Sequence, residues 1–118
     1  MTQELHVDER VEDGVLWILA RGEIDLFTCP PLREALQRAA LSGEKDVALD
    51  LCRVGFIDST GIALMINAQR RLRRRGHRFH VVCADGSVLR TLSITGIADN
   101  FSMFPSPHAL GRASRAAQ

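Results

Sequence analysis

The sequence predicts one α/β domain, a mixed but mostly parallel sheet of about five strands with helices packed on it. Three observations carry this. From residue 15 onward, apolar runs with strand and helix periods alternate, which implies parallel pairing through right-handed crossovers. Glu12-Asp13-Gly14 is a hairpin turn signal between the first two apolar runs, so the sheet opens with an antiparallel pair. The 118 residues, 46% hydrophobic and 25% charged, have the size and composition of one globular domain with one core.

Leu5 and Val7 alternate with polar residues, and Val11 resumes the pattern after an interruption at Glu9, as in a first strand. Val15-Leu16-Trp17-Ile18-Leu19-Ala20 is nearly all apolar, the mark of a strand buried on both faces. Pro30-Pro31 opens a helix in which Leu32, Ala35, Leu36, Ala39 and Ala40 share one face. Ser42-Gly43 ends it. Asp46 to Leu51 reads as a third strand. A second helix begins near Ser59, carries Ile62, Met65, Ile66 and Leu72 on its inner stripe, and stops at Gly76. Phe79 to Ala84 is a fourth strand. Ser87 to Thr95 is a short helix closed by Gly96, with Ile97 set for the apolar contact of a Schellman ending. Phe101 to Phe104 is the last strand. The domain spans 1–110, with one weak helical turn around Ala109-Leu110, and 111–118 is expected to be a flexible tail.

A net charge of +1 gives no general pull toward nucleic acid or membrane. No run approaches the roughly 20 apolar residues of a membrane span, and the polar start Met1-Thr2-Gln3-Glu4 does not resemble a secretory signal. A cytoplasmic protein is expected. Cys29, Cys52 and Cys83 are odd in number and form no CxxC pair, so they read as reduced thiols, with Cys52 and Cys83 buried. His6, His77, His80 and His108 are too scattered for a metal site, and His77 and His80 read as solvated turn residues.

In parallel sheets, partners meet the loops beyond the carboxyl ends of the strands. The loop after Leu51 is the most informative of these, running from Cys52 to Gly61. Phe56 and Ile57 are expected to anchor it in the core. Asp58-Ser59-Thr60 then stands at a helix start, where Asp58 or Ser59 can accept the unpartnered amide protons of the first turn. A serine there can also carry a phosphate, facing exposed amides and the positive end of the helix. The added charge of about −1.5 to −2 beside Asp58 and Asp25 would be repelled by an acidic or apolar partner. These residues alone leave both readings open.

Leu49-Asp50-Leu51 followed by Phe56-Ile57-Asp58-Ser59-Thr60-Gly61 resembles the signature of the STAS family, in particular its anti-sigma factor antagonists. Gly22-Glu23-Ile24-Asp25 resembles the family's motif at the end of the second strand. Ser93-Ile94-Thr95-Gly96-Ile97 with Phe101 resembles its closing helix and strand. The likeness covers about Leu5 to Ala109.

The resemblance implies a cytoplasmic protein-binding switch, an anti-anti-sigma factor with no cofactor and no enzymatic activity. Its unphosphorylated form would bind an anti-sigma factor that is also a serine-protein kinase, releasing a sigma factor. Phosphorylation of Ser59 would switch binding off, and a serine phosphatase would restore it. Asp58 would place the Ser59 hydroxyl, Asp25 would line the same surface, and Thr60 and Gly61 would shape the helix start. Gly61 would admit a partner's backbone or serve simply as a packing glycine. Thr60 is a second candidate acceptor. The family suggests a monomer. It also suggests an alternative, a STAS scaffold or transporter-associated subunit without a phosphoswitch.

The rival classes rest on less. Arg70, Arg71, Arg73, Arg74, Arg75 and Arg78 could meet phosphates, but no aromatic residues interleave with them. A solvated helix end complemented by cations explains them, so no direct nucleic-acid or membrane partner is expected. Ser59 has no Gly-x-Ser-x-Gly elbow, and no phosphate-binding glycine loop with lysine occurs.

Overall fold

Asp13 and Gly14 both take positive φ, 53° and 77°. They turn β1 (His6–Glu12) back on β2 (Val15–Ile24) in the tight hairpin that Asp-Gly favours. The structure, a computed structural model, describes residues 4–116. After the hairpin come α1 (Pro30–Ser42), β3 (Asp46–Ile57), α2 (Ser59–Arg74), β4 (Phe79–Val82) and α3 (Ser87–Ile94). A 3₁₀ turn (Ile97–Asn100), β5 (Ser102–Phe104) and α4 (Pro107–Ala116) complete the chain. The five strands lie in sequence order, β1 antiparallel to β2 and every later pair parallel. The expected mixed, mostly parallel sheet is what forms.

The period-two alternation of β2 divides its side chains between two cores. Ile18 and Ala20 join Val47, Leu49, Leu51 and Val81 under α1, α2 and α3. Val15 and Trp17 face the other way and pack with Ala48, Val82 and Leu110, the last from α4. All five apolar residues assigned to the α1 face are buried. Met65 and Leu72 are fully buried in α2, whereas Ile66 is only partly covered. Beyond α2, Gly76 takes φ 79° and donates to the Arg73 carbonyl at 3.0 Å, while the His77 N–H reaches the Leu72 carbonyl at 3.0 Å. That is a Schellman ending, one residue past the last full turn.

Three expectations need correction. First, β3 runs on to Ile57 instead of giving way to a loop at Leu51. It carries one extra residue between Asp50 and Arg53 and another between Val54 and Phe56, each opposing fewer residues of β2. At the first bulge the Cys52 N–H donates to Asp50 Oδ1 at 2.9 Å. The bulges reset the alternation, so the buried residues become Leu51, Val54 and Ile57. Cys52 is exposed and Phe56 is 48% exposed, so neither is core. Cys29 and Cys83 are the buried thiols, and burial pushes Cys83 up to about 11.

Second, His80 is no solvated turn residue. It is buried in β4, with Nδ1 2.9 Å from Ser102 Oγ and its ring edge-on to Phe104. His77 lies 3.2 Å from the Asp46 carboxylate. Third, the single turn expected near Leu110 is a ten-residue helix. Ser106 caps it, its Oγ accepting from the Ala109 N–H at 3.1 Å, Pro107 fills the first helical position, and Leu110 is buried against the sheet. Residues 117–118 of the expected tail lie outside the described residues.

Burial pushes the His80 imidazole below its ordinary value of 6.5, with Arg78 adding to the shift and Asp46 opposing it. The folded state therefore favours the neutral ring. Stability should be full above pH 6.5 and fall as pH drops through 6.5 toward the lower folded value. Urea unfolding at pH 7.5 and 5.5 checks this. His80→Asn, which keeps a polar partner for Ser102 without titrating, should show a smaller loss than the native chain.

Candidate functional site

The last pair in the β2–β3 ladder is Ile24 with Ile57, and the Asp58 N–H donates to the Ile24 carbonyl at 3.1 Å. Asp25 and Asp58 therefore leave the sheet side by side, at the carboxyl ends of adjacent parallel strands. Asp58 is extended, with φ −108°, and is the N-cap of α2. Its Oδ1 accepts from the Thr60 N–H at 2.9 Å and from the Gly61 N–H at 3.3 Å. Of the two capping candidates in the sequence, Asp58 takes the role. Ser59 is left exposed at the first helical position, and Thr60 is half-buried. Since Asp58 already occupies two first-turn amides, a phosphate on Ser59 would not be neutralised by them. It would project as added negative charge.

Gly61 is buried, not presented to the surface. A Cβ there would come within 2.6 Å of Ile24 Cγ2 and 2.7 Å of Ile57 Cγ1. Of its two readings from sequence, the geometry supports the packing glycine, which lets α2 settle on the last ladder pair. Gly22 does related work at the start of its motif. It takes φ 124°, and a Cβ would collide with the Glu4 carbonyl oxygen.

Asp25 directs its carboxylate into its own loop. Oδ1 accepts from the Phe27 N–H at 2.8 Å and the Thr28 N–H at 2.9 Å. In return Thr28 Oγ1 accepts from the Asp25 N–H at 2.9 Å and donates to the Glu23 carbonyl at 2.7 Å. The Thr28 N–H, opposed by some desolvation and helped by Phe27, holds the Asp25 carboxyl below its ordinary value. This closed turn holds two residues that sequence reasoning missed, Leu26 at 61% and Phe27 at 81% exposure. The signal was present as two adjacent apolar residues directly after the Gly-Glu-Ile-Asp motif.

The six arginines lie at the other end of α2, by the amino ends of the strands. Among the described residues none of them forms an ion pair. Arg71, Arg73 and Arg74 sit in the last turn of the helix, where cations complement its dipole. No helix among the described residues is long and apolar enough to cross a membrane.

Comparison with known proteins places this geometry among others. The family model described as STAS domain matches residues 6–110. The anti-sigma-B factor antagonist of Staphylococcus aureus (strain NCTC 8325 / PS 47) is 26% identical over 95 residues, covering 80% of this chain and 88% of that protein. A solved anti-sigma factor antagonist from Mycobacterium paratuberculosis aligns with TM-score 0.87 at 24% identity, over 98% of this chain and 99% of that one. The Bacillus cell fate determinant SpoIIAA in its phosphorylated form aligns with TM-score 0.65 at 19% identity, over 92% of this chain and 98% of that one. At these identities the two solved structures bear on the fold alone.

Substitutions at two positions test the local geometry. Gly61→Ala should destabilise the domain by about 1–3 kcal/mol through overpacking against Ile24 and Ile57. Asp58→Ala should cost about 1 kcal/mol through loss of the cap, and Asp58→Asn much less. Denaturant midpoints at constant m-value measure both. A Gly61→Ala variant as stable as the native chain would show that α2 can shift outward freely.

Proposed function

The chain belongs to the STAS domain family, and we propose that it is an anti-sigma factor antagonist switched by phosphorylation of Ser59. The observation that carries this reading is the exposed Ser59 at the first position of α2, beside a carboxylate that has already used the nearby amides. The likeness to the Staphylococcus aureus anti-sigma-B factor antagonist supports the antagonist role. The phosphorylated Bacillus structure supports a phosphate on a protein of this fold.

In the unmodified state, the surface formed by Asp25, Asp58, Ser59 and Thr60 binds an anti-sigma factor and so releases a sigma factor. The anti-sigma factor doubles as the serine kinase, and the γ-phosphate of ATP passes to Ser59 Oγ. The product carries about −1.5 to −2 more charge at one point of that surface. Asp58 is N-cap in either state, so the helix need not rearrange. The phosphate itself disrupts the fit, because a bulky, strongly hydrated dianion must be accommodated and desolvated at a packed interface. A serine phosphatase reverses the step. The chain acts as a monomeric binding partner in the cytoplasm and catalyses nothing. Half-burial of Thr60, whose N–H is already directed at Asp58, favours Ser59 as the acceptor.

Ser59→Ala should fold, bind the anti-sigma factor with near-native affinity and accept no phosphate from its kinase. Ser59→Glu should weaken binding by at least about tenfold, equivalent to about 1.4 kcal/mol. Calorimetric titration and phosphopeptide mass spectrometry read out both. Full phosphorylation of Ser59→Ala would move the acceptor to Thr60 or elsewhere.

A further inference from the structure

The turn after β2 exposes more apolar surface than any structural role requires. Phe27 is 81% exposed and Leu26 is 61% exposed. Single exposed apolar residues are ordinary, but an aromatic ring standing almost fully in water beside a second apolar side chain marks a contact surface. Phe27 also flanks a recess where the exposed Pro30 and Pro31 add apolar surface, with Glu4, His6 and Thr28 on its border.

Nor is the exposure that of a loose loop. Asp25 Oδ1 holds the Phe27 and Thr28 N–H groups, Thr28 Oγ1 joins the Asp25 N–H to the Glu23 carbonyl, and the Cys29 N–H donates to the Asp25 carbonyl at 3.0 Å. The ring is thus displayed on a preformed turn. An anchor fixed before contact loses little conformational entropy on binding.

We infer that Phe27, with Leu26 beside it, is the apolar anchor by which the chain holds its anti-sigma factor. The inference rests on the antagonist reading above. It adds the chemistry of the partner, an apolar pocket bordered by cationic side chains. Two arguments select this occupant. One is continuity. Asp58 is bonded to Ile24, so Phe27 lies three residues along the chain from a residue in direct contact with the Ser59 cap. Its Cα can be no more than roughly 20 Å from that of Ser59, from Cα steps and one strand spacing. An ordinary interface of about 800 Å² per partner is about 30 Å across and takes in both. The other is charge. Asp25, whose Oδ1 holds the Phe27 N–H, and Asp58 on the adjacent strand end put carboxylates on the same edge of the domain, which a cationic rim complements and an acidic one would repel.

This arrangement separates affinity from switching. Phe27 supplies attraction in either state, and the phosphate on Ser59 opposes it from a neighbouring point.

The test uses the full chain and the purified kinase that modifies Ser59. Phe27→Ala should raise Kd at least about tenfold, as truncating an aromatic anchor does. KM for phosphorylation should rise by a similar factor with kcat unchanged, because the reacting hydroxyl is untouched. The thermal midpoint should stay put, since the side chain is 81% exposed. Phe27→Leu, which keeps an apolar plug, should recover most of the affinity. If native protein binds the kinase and Phe27→Ala binds equally well, the anchor is wrong and the Ser59 switch stands. If native protein neither binds nor is phosphorylated by any kinase of its genome, the antagonist reading falls, and the anchor with it. If sedimentation shows that Phe27→Ala turns a dimer into a monomer while kinase affinity is unchanged, the ring belongs to contact between two copies and the inference is overturned.

Discussion

When the last rung of a parallel ladder also carries the residues that begin a helix and a loop, small changes in its position move the whole exposed edge. Ile24 and Ile57 form such a rung. Each is buried, each hands the chain to an aspartate, and Gly61 packs so close above both that a Cβ there would force one of them to shift. The cap of α2, the aim of Ser59 and the root of the Phe27 turn all derive their placement from it. The two bulges in β3 serve the same end. They lengthen β3 by two residues relative to β2 and turn Val54 inward between them, so that the strand reaches the rung at Ile57.

Much of this was legible in the sequence. Asp-Gly fixed the hairpin because positive φ at both turn residues is what those residue types tolerate. The spacing of Leu32, Ala35, Leu36, Ala39 and Ala40 gave the buried face of α1, and Gly76 gave the end of α2. Asp58-Ser59-Thr60 announced a helix start, though not which of two residues would cap it. That choice depends on backbone dihedrals, extended at Asp58, which composition does not encode.

What escaped notice did so for identifiable reasons. Cys52 and Phe56 read as core by residue type, in a segment expected to be a loop, whereas β3 runs on through two inserted residues to Ile57 and leaves both exposed. His80 reads as a turn residue because it stands at the expected start of the fourth strand, while its burial depends on Ser102 and Phe104, more than twenty positions away. In α4, one buried leucine and a Ser-Pro start were enough for a helix, because the sheet supplied the apolar surface that the segment itself lacks. The display of Phe27 was hidden since a side chain held outward by its neighbours' hydrogen bonds looks, in sequence, like one destined for a core.

The separation of the arginines from the site has an effect on how the molecule travels. Cations gather where α2 ends, and the carboxylates of Asp25 and Asp58 gather where it begins, on a body whose longest dimension is 44 Å. With a net charge of only +1, the excess of one sign does little, and this separation of cations from carboxylates along α2 adds a dipolar component to the field. Such a particle experiences a torque in the field of a cationic target and turns its carboxylate end forward before the surfaces meet. Within a Debye length of about 8 Å at physiological salt, that turning raises the fraction of encounters that begin in a productive orientation. In the proposed switch, phosphorylation would enlarge the same separation, so the modified molecule would still arrive facing forward and would be rejected only on contact.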